Sequence, residues 1–208
     1  MSSDGYCRPF DIAADGYSRS DTIAVAYLQK AKNAKRIYAI CPYIKLNSDG
    51  YKKEGITYPS SLMQSTLLTE FYNECKIPIS CLDYIEAHGT ATKVGDLQEV
   101  KALHDVFCKN RKTPLMIGSV KSNLGHAEPA SGFTQIVKIK QIVLSFLISK
   151  CIFILIIHTL YTNVHTNKER RFILYKNYLT CYLNTYPGSE QLLFAIILVK
   201  LTTNNNVR

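Results

Sequence analysis

No CxxC pair occurs among the seven cysteines, which stand at 7, 41, 75, 81, 108, 151 and 181. That spacing excludes a zinc ribbon or a paired redox motif and leaves reduced thiols as the expectation. The chain has no HExxH helix, no GxGxxG phosphate loop and no GxSxG elbow, so a zincin, a dinucleotide fold and an elbow-type serine hydrolase are not indicated. No secretory signal pattern is read at its start, and a cytoplasmic setting is expected. Glycine and proline run out early: nine of ten glycines and six of seven prolines precede residue 133. Acidic residues run out with them. Residues 139–208 hold eight Lys or Arg against two Glu, whereas residues 1–138 are nearly balanced at +3 of the total +9. The basic excess therefore lies in the final third, and nucleic acid is not expected as a partner.

With 47% hydrophobic and 20% charged residues, the 208-residue chain can bury a domain-sized core. Turn residues divide its first two thirds into alternating elements. Residues 37–46 (IYAICPYIKL) read as a strand, with Pro42 marking an edge or a bulge. Residues 58–75 read as a helix with Pro59 in its first turn and Met63, Leu67 and Phe71 on one face. CLDYIEA (81–87) reads as a short buried strand. Asp96 and Glu99 have the spacing of a capping box, with Leu97, Val100, Leu103 and Phe107 following as one apolar stripe. TPLMIGSV (113–120) reads as the next strand. A further helix is expected from Pro129 through Phe133, Ile136 and Val137. Strand, helix, strand, helix predicts an α/β fold with a parallel sheet, whose ligands gather at the carboxyl ends of its strands.

Residues 139–161 form a long apolar run interrupted by Lys150. As a membrane span it would carry a costly central charge, so a membrane partner is not favoured. Beyond it the residues show no steady period, and 141–208 are expected to stand outside the fold of residues 1–140.

Two turns carry the chemistry. IEAHGTATKVGD (85–96) and GSVKSNLGHAEPASG (118–132) each end an apolar strand with polar residues, glycine and one histidine. Singly, His88 reads as a buried histidine closing a turn and His126 as a helix-entry residue, with Thr90 and Thr92 satisfying loop backbone. Together at adjacent strand ends, two neutral imidazoles can each donate to one developing oxyanion, worth about 3 kcal/mol per well-placed donor. Lys121 is either a solvated loop lysine or a tuning charge. A zinc site using His104, Cys108, Cys81 and His88 lacks a recognised spacing, and His104 is expected on a helix surface.

YIEAHGTATKVGD and IGSVKSNLGHAEPASG resemble the two histidine motifs of the β-ketoacyl synthases, the condensing enzymes of fatty acid and polyketide synthesis. SSDGYCRPFDIAADGYSRSD resembles the segment preceding them, and the wording is most similar to animal-type multifunctional fatty acid synthase. The resemblance spans about residues 2–140. It implies a thiolase-like fold, represented mainly by its C-terminal half. It implies acyl transfer to a cysteine, then decarboxylation of malonyl on an acyl carrier protein and attack of the carbanion on the acyl thioester. His88 and His126 would match the motif histidines and Lys121 the motif lysine. Thr90 and Thr92 would match threonines near the pantetheine arm, and Asn123 a loop residue steadying the second histidine. The domain would bind no cofactor or metal of its own, since the phosphopantetheine arrives on the carrier protein, and it would form a homodimer.

The chain departs from the family pattern in three places. The nucleophilic cysteine would lie upstream of the matched segment, the glycine-rich phenylalanine loop would lie downstream, and Ala91 stands where glycine is usual. A partial condensing domain, inactive in isolation for want of its nucleophile, is expected. A non-catalytic interaction module and a membrane-tethered protein are the rival readings.

Overall fold

Ser60 decides where the first long helix begins. Its hydroxyl accepts a hydrogen bond from the Met63 amide at 3.2 Å, satisfying one of the amides that a helix start leaves open. Its own amide donates to Asp49 Oδ2 at 3.0 Å. The helix, α1, is Ser61–Cys75, so Pro59 precedes the cap and does not occupy the first turn. Lys76 ends it in the left-handed conformation at φ 58°, the C-terminal geometry usually given to glycine.

The computed structural model describes residues 1–35, 37–139, 178–185 and 193–201. Its strands are β1 (Ala39–Ser48), β2 (Leu82–Glu86), β3 (Met116–Gly118), β4 (Tyr178–Thr185) and β5 (Leu193–Leu201). Beside α1 its helices are α2 (Gly95–Phe107), the single turn α3 (Lys121–Leu124) and α4, described over 131–139. One sheet runs in the order β1-β5-β4-β2-β3. β2 is parallel to β3 and to β4, but β1 and β4 are antiparallel to β5. The fold is therefore α/β with a mixed sheet, and the expectation of a purely parallel one is corrected. Pro42 sits where the β1–β5 register shifts, between Ile40 and Tyr43, on the edge strand. A residue without an amide proton is tolerated there.

The core lies between α1, α2 and β2. Leu67, Leu68 and Phe71 of α1 meet Leu82 and Ile85 of β2 and Leu103 and Phe107 of α2. Phe71, Tyr72 and Phe107 form a chain of edge-to-face rings with centroids 5.3 Å apart at each step, a favoured aromatic geometry. One expected stripe is corrected. On α2, Leu103 and Phe107 are buried, but Leu97 is 71% and Val100 42% exposed, while Asp96 and Glu99 face inward. On α4, Phe133 and Val137 are exposed, and Ser131, Thr134, Gln135 and Ile139 are buried. In both helices hydrogen bonding decides the inward face at the end nearest the loops. Gln135 Nε2, for example, donates to the Ala87 carbonyl at 2.7 Å.

The segment expected to stand apart contributes two strands. β4 and β5 lie between β1 and β2. Apart from Ile139, the apolar run 139–161 lies outside the described residues. Among those described, no helix is long and apolar enough to cross a membrane.

Candidate active site

β2 and β3 run side by side, and each ends in a turn bearing a histidine. Ala87 N donates to Gly118 O at 2.8 Å, which fastens the starts of the two turns together. Gly89 has φ +44°, and a Cβ there would stand 2.7 Å from that of Ser119. Glycine therefore lets the second turn close on the first. The Ser119 hydroxyl donates between the carbonyls of His88 and Gly89, at 3.2 and 3.1 Å. On the far side His126 bridges to the segment at residue 19: its amide donates to Ser18 O at 2.8 Å, and its carbonyl accepts from Ser20 N at 3.2 Å. The outcome is a pair of imidazoles with ring centroids 5.2 Å apart and planes at 85°.

Both rings are neutral at pH 7. His126 is 5% exposed, and its pKa falls to about 4 through burial and then the charge of Lys121. Its Nδ1 accepts from the Glu128 amide at 3.1 Å, so the ring proton resides on Nε2. Tyr17 meets this ring edge-on at 4.9 Å. Burial drives the His88 pKa well below its ordinary value, with Lys121 and His126 adding to the shift.

Lys121 is not a solvated loop lysine. It is 1% exposed, and its Nζ meets no hydrogen-bond acceptor among the described residues. Burial lowers its pKa to about 8, against the pull of Glu99 and Glu86.

Three acids that sequence reasoning did not assign to the site hold it together. Glu99 accepts the His88 amide at 2.7 Å and the Gly89 amide at 2.9 Å, one on each oxygen, and burial raises its pKa to about 7. Asp96 accepts the Phe10 amide at 2.9 Å, while burial pushes its pKa up. The pair does not form a capping box. α2 begins at Gly95 behind Val94, with no side-chain cap. Glu86, closing β2, accepts the Val120 amide and pairs with Lys138 at 2.8 Å. The visible signal for Glu99 and Asp96 was two acids within eleven residues of the first histidine. Ala91 has φ 60° and is wholly buried. That conformation costs an L-residue about 1–2 kcal/mol.

A cavity of about 610 Å³ opens between the two turns, lined by His88, His126, Thr90, Thr92, Gln64, Glu99 and Tyr17 among others. The hydroxyls of Thr90 and Thr92 are 3.3 Å apart. Of the six residues singled out in the sequence, these two threonines and the two histidines share the wall. Lys121 lies beneath it. Asn123 does not join them: it is exposed, and its side chain bonds the Ser122 hydroxyl at 3.1 Å. None of Cys7, Cys41, Cys75, Cys81 and Cys108 lines the cavity. His104 lies on the exposed side of α2, near Asp105. Among the described residues no three His, Cys, Asp or Glu side chains gather as metal ligands.

Parallel strands ending in paired histidine turns over one cavity, flanked by packed helices, define a partial thiolase-like α/β protein. The chain belongs to the family described as "Beta-ketoacyl synthase, C-terminal domain", which its residues 38–150 match. It is 48% identical over 139 residues to the fatty acid synthase of Anser anser anser, covering 67% of this chain and 40% of that protein. To the hybrid PKS-NRPS synthetase pytA of Aspergillus terreus it is 41% identical over 142 residues, 66% of this chain and 21% of that protein. Its fold matches the ketosynthase from module 1 of the bacillaene synthase of Bacillus amyloliquefaciens FZB42 with a TM-score of 0.72 at 24% identity, over 98% of this chain and 40% of that one. The chain thus spans two fifths or less of the length of these relatives.

Proposed function

We propose that the chain supplies the carbanion-stabilising half of a decarboxylative condensation between a malonyl and an acyl thioester. The observation that carries this reading is the pair of neutral imidazoles facing one cavity, one with its donor fixed on Nε2 by the Glu128 amide. Breaking the malonyl C–C bond releases carbon dioxide and sends the electron pair onto the thioester oxygen. N–H donors aimed at that oxygen stabilise the enolate more than the ground-state carbonyl, and only such differential stabilisation raises the rate. The enolate carbon then attacks the acyl thioester carbonyl, a C–C bond forms, and the thiol that held the acyl group leaves as thiolate. Imidazoles held neutral at pH 7 suit this role, because a protonated ring would also attract the malonyl carboxylate that must depart. Burial keeps them neutral, and the charge of Lys121 beneath the rings adds to the effect. Thr90 and Thr92 line the approach of the pantetheine arm, and Asn123 at the outer end of the second turn contributes through the loop alone.

The acyl-bearing cysteine comes from outside the described wall, so the chain by itself does not condense. The setting is the cytosol, the thioesters arrive on an acyl carrier protein, and the working unit is a homodimer. The absence of a cysteine from the described wall also suits a second reading, a non-catalytic module that binds thioesters without turning them over. The test is a graft of residues 2–140 into an intact animal-type synthase domain. His88→Ala and His126→Ala should each lower malonyl decarboxylation at least ~100-fold while acyl loading persists, and His104→Ala should leave both steps alone. Decarboxylation that survives both histidine changes would remove the condensing role and leave the binding module.

A further inference from the structure

α1 carries one polar side chain on its buried face that the site's chemistry has not used. Leu67, Leu68 and Phe71 are each 0–1% exposed, and Gln64, one turn before them on the same face, is 2% exposed. Its backbone is satisfied, the amide donating to Ser60 O at 3.1 Å. Its side-chain Oε1 is fully buried and meets no donor among the described residues. An acceptor left unpaired in the interior is destabilising, and a leucine or methionine would continue the apolar face without that cost. Gln64 stands where this face reaches the cavity, on the wall it shares with His88, Thr90, Thr92 and Glu99. The neighbouring wall groups do not satisfy it. Both Glu99 oxygens are engaged by the His88 and Gly89 amides, the threonine hydroxyls lie 3.3 Å from each other, and none of these groups is a partner of Oε1.

The geometry points to Gln64 as a specificity-determining residue that accepts a hydrogen bond from a secondary amide N–H on the arm of the incoming thioester. The inference rests on the thioester reading of the cavity and assigns part of the wall within it. The chemistry selects the arm over the reacting groups. A malonyl carboxylate and a thioester carbonyl are acceptors, and an unsubstituted acyl chain has no polar hydrogen, so none of them can satisfy Oε1. A pantetheine arm carries two amide N–H donors. The wall thus divides its work: donors on His88 and His126 for the reacting oxygen, and an acceptor on Gln64 for the arm that delivers it.

The full 208-residue chain is titrated by NMR with two probes, malonyl-pantetheine and a malonyl thioester of an alkyl thiol of equal length lacking amides. The unaltered chain is expected to bind the pantetheine thioester about five- to tenfold more tightly than the alkyl one, the margin of one buried hydrogen bond. Gln64→Leu should abolish that margin and not lower the melting temperature, because it removes an unpaired buried oxygen. Gln64→Met, of similar length, provides the same comparison if the branched side chain perturbs folding. Equal weakening of both probes, an intact margin in either variant, or a fall in melting temperature in both would overturn the role of Gln64 and leave the thioester reading standing. Failure of the unaltered chain to bind either probe would overturn that reading and this one with it.

Discussion

The two long helices that enclose the core divide their inward faces differently. α1 buries hydrocarbon from its second turn onward, through Leu67, Leu68, Phe71 and Tyr72. α2 buries two carboxylates in its first turns, Asp96 and Glu99, and turns to Ala102, Leu103 and Phe107 only afterwards. The reason is what each helix faces. α1 packs along its length against β1 and α2. The start of α2 faces the loop of residues 88–92, whose amides need acceptors in a place closed to water. Carboxylates answer several amides at once, and their hydrogen bonds shorten and strengthen with charge. Stability therefore resides in the hydrocarbon of α1 and the far end of α2, whereas the shape of the first histidine turn resides in two acids.

The largest effect expected from this division is at Phe71. Phe71→Ala removes a fully buried ring that contacts Tyr43 and Tyr72 at centroid distances of 5.2 and 5.3 Å. It should lower the unfolding free energy by about 4 kcal/mol, measured by urea denaturation, and by nearly the same amount at every pH from 4 to 8. A loss under about 1 kcal/mol would show that the core lies elsewhere.

Glu99→Gln should act on the shape of the pH profile more than on its height. The Glu99 pKa is raised by burial to about 7 from 4.5, so its contribution to stability is full below about pH 4.5 and is lost as pH rises through 7. That contribution is on the order of 3 kcal/mol. His126 acts in the opposite sense. Its pKa is lowered from 6.5 to about 4, so its contribution is present above 6.5 and is lost as pH falls through 4. Between pH 7 and 4.5 the two oppose each other, while Lys121, with its pKa lowered to about 8, changes mainly on the alkaline side. Glu99→Gln removes the compensating acid. Its stability should fall more steeply than that of the unaltered chain as pH drops from 7 to 4.5, as read from denaturation midpoints across that range. Parallel curves would mean that Glu99 does not titrate there and that the two amides, not a proton, set its role.

Much of the chemistry was legible in the residues because it was local. Both histidine turns, the strands that carry them and the existence of α1 and α2 follow from short-range pattern, and the Pro42 irregularity follows from one missing amide proton. What was not legible is pairing across distance. Residues 178–185 and 193–201 show no period that announces a place between β1 and β2, and a mixed strand order depends on nonlocal hydrogen bonds. Asp96 and Glu99 misled for a physical reason. A capping box and a pair of inward carboxylates share one spacing, and only the position of the His88 and Gly89 amides separates them. For Lys121 the residues left two readings open, since a lysine in a polar turn ordinarily remains in water, and its burial beneath the histidines excludes the solvated one.

The smallest expected effect lies on the other side of α2 and tests the assignment of its faces. The apolar residues Leu97, Val100, Leu103 and Phe107 make a plausible stripe in sequence, yet Leu97 is 71% exposed and Leu103 only 6%. If the carboxylates determine the rotation of the helix, Leu97→Lys should change the unfolding free energy by no more than about 0.5 kcal/mol, as surface changes do, and Leu103→Ala should cost about 2–5 kcal/mol. The pair is informative because both leucines are reached by the same helix within two turns, so propensity and burial separate cleanly. A large loss at Leu97, with sedimentation showing a dimer in the unaltered chain and a monomer in the variant, would mean that a second copy covers this face. A large loss without any change of association state would mean that α2 is rotated and the acids face solvent, which would also detach Glu99 from His88.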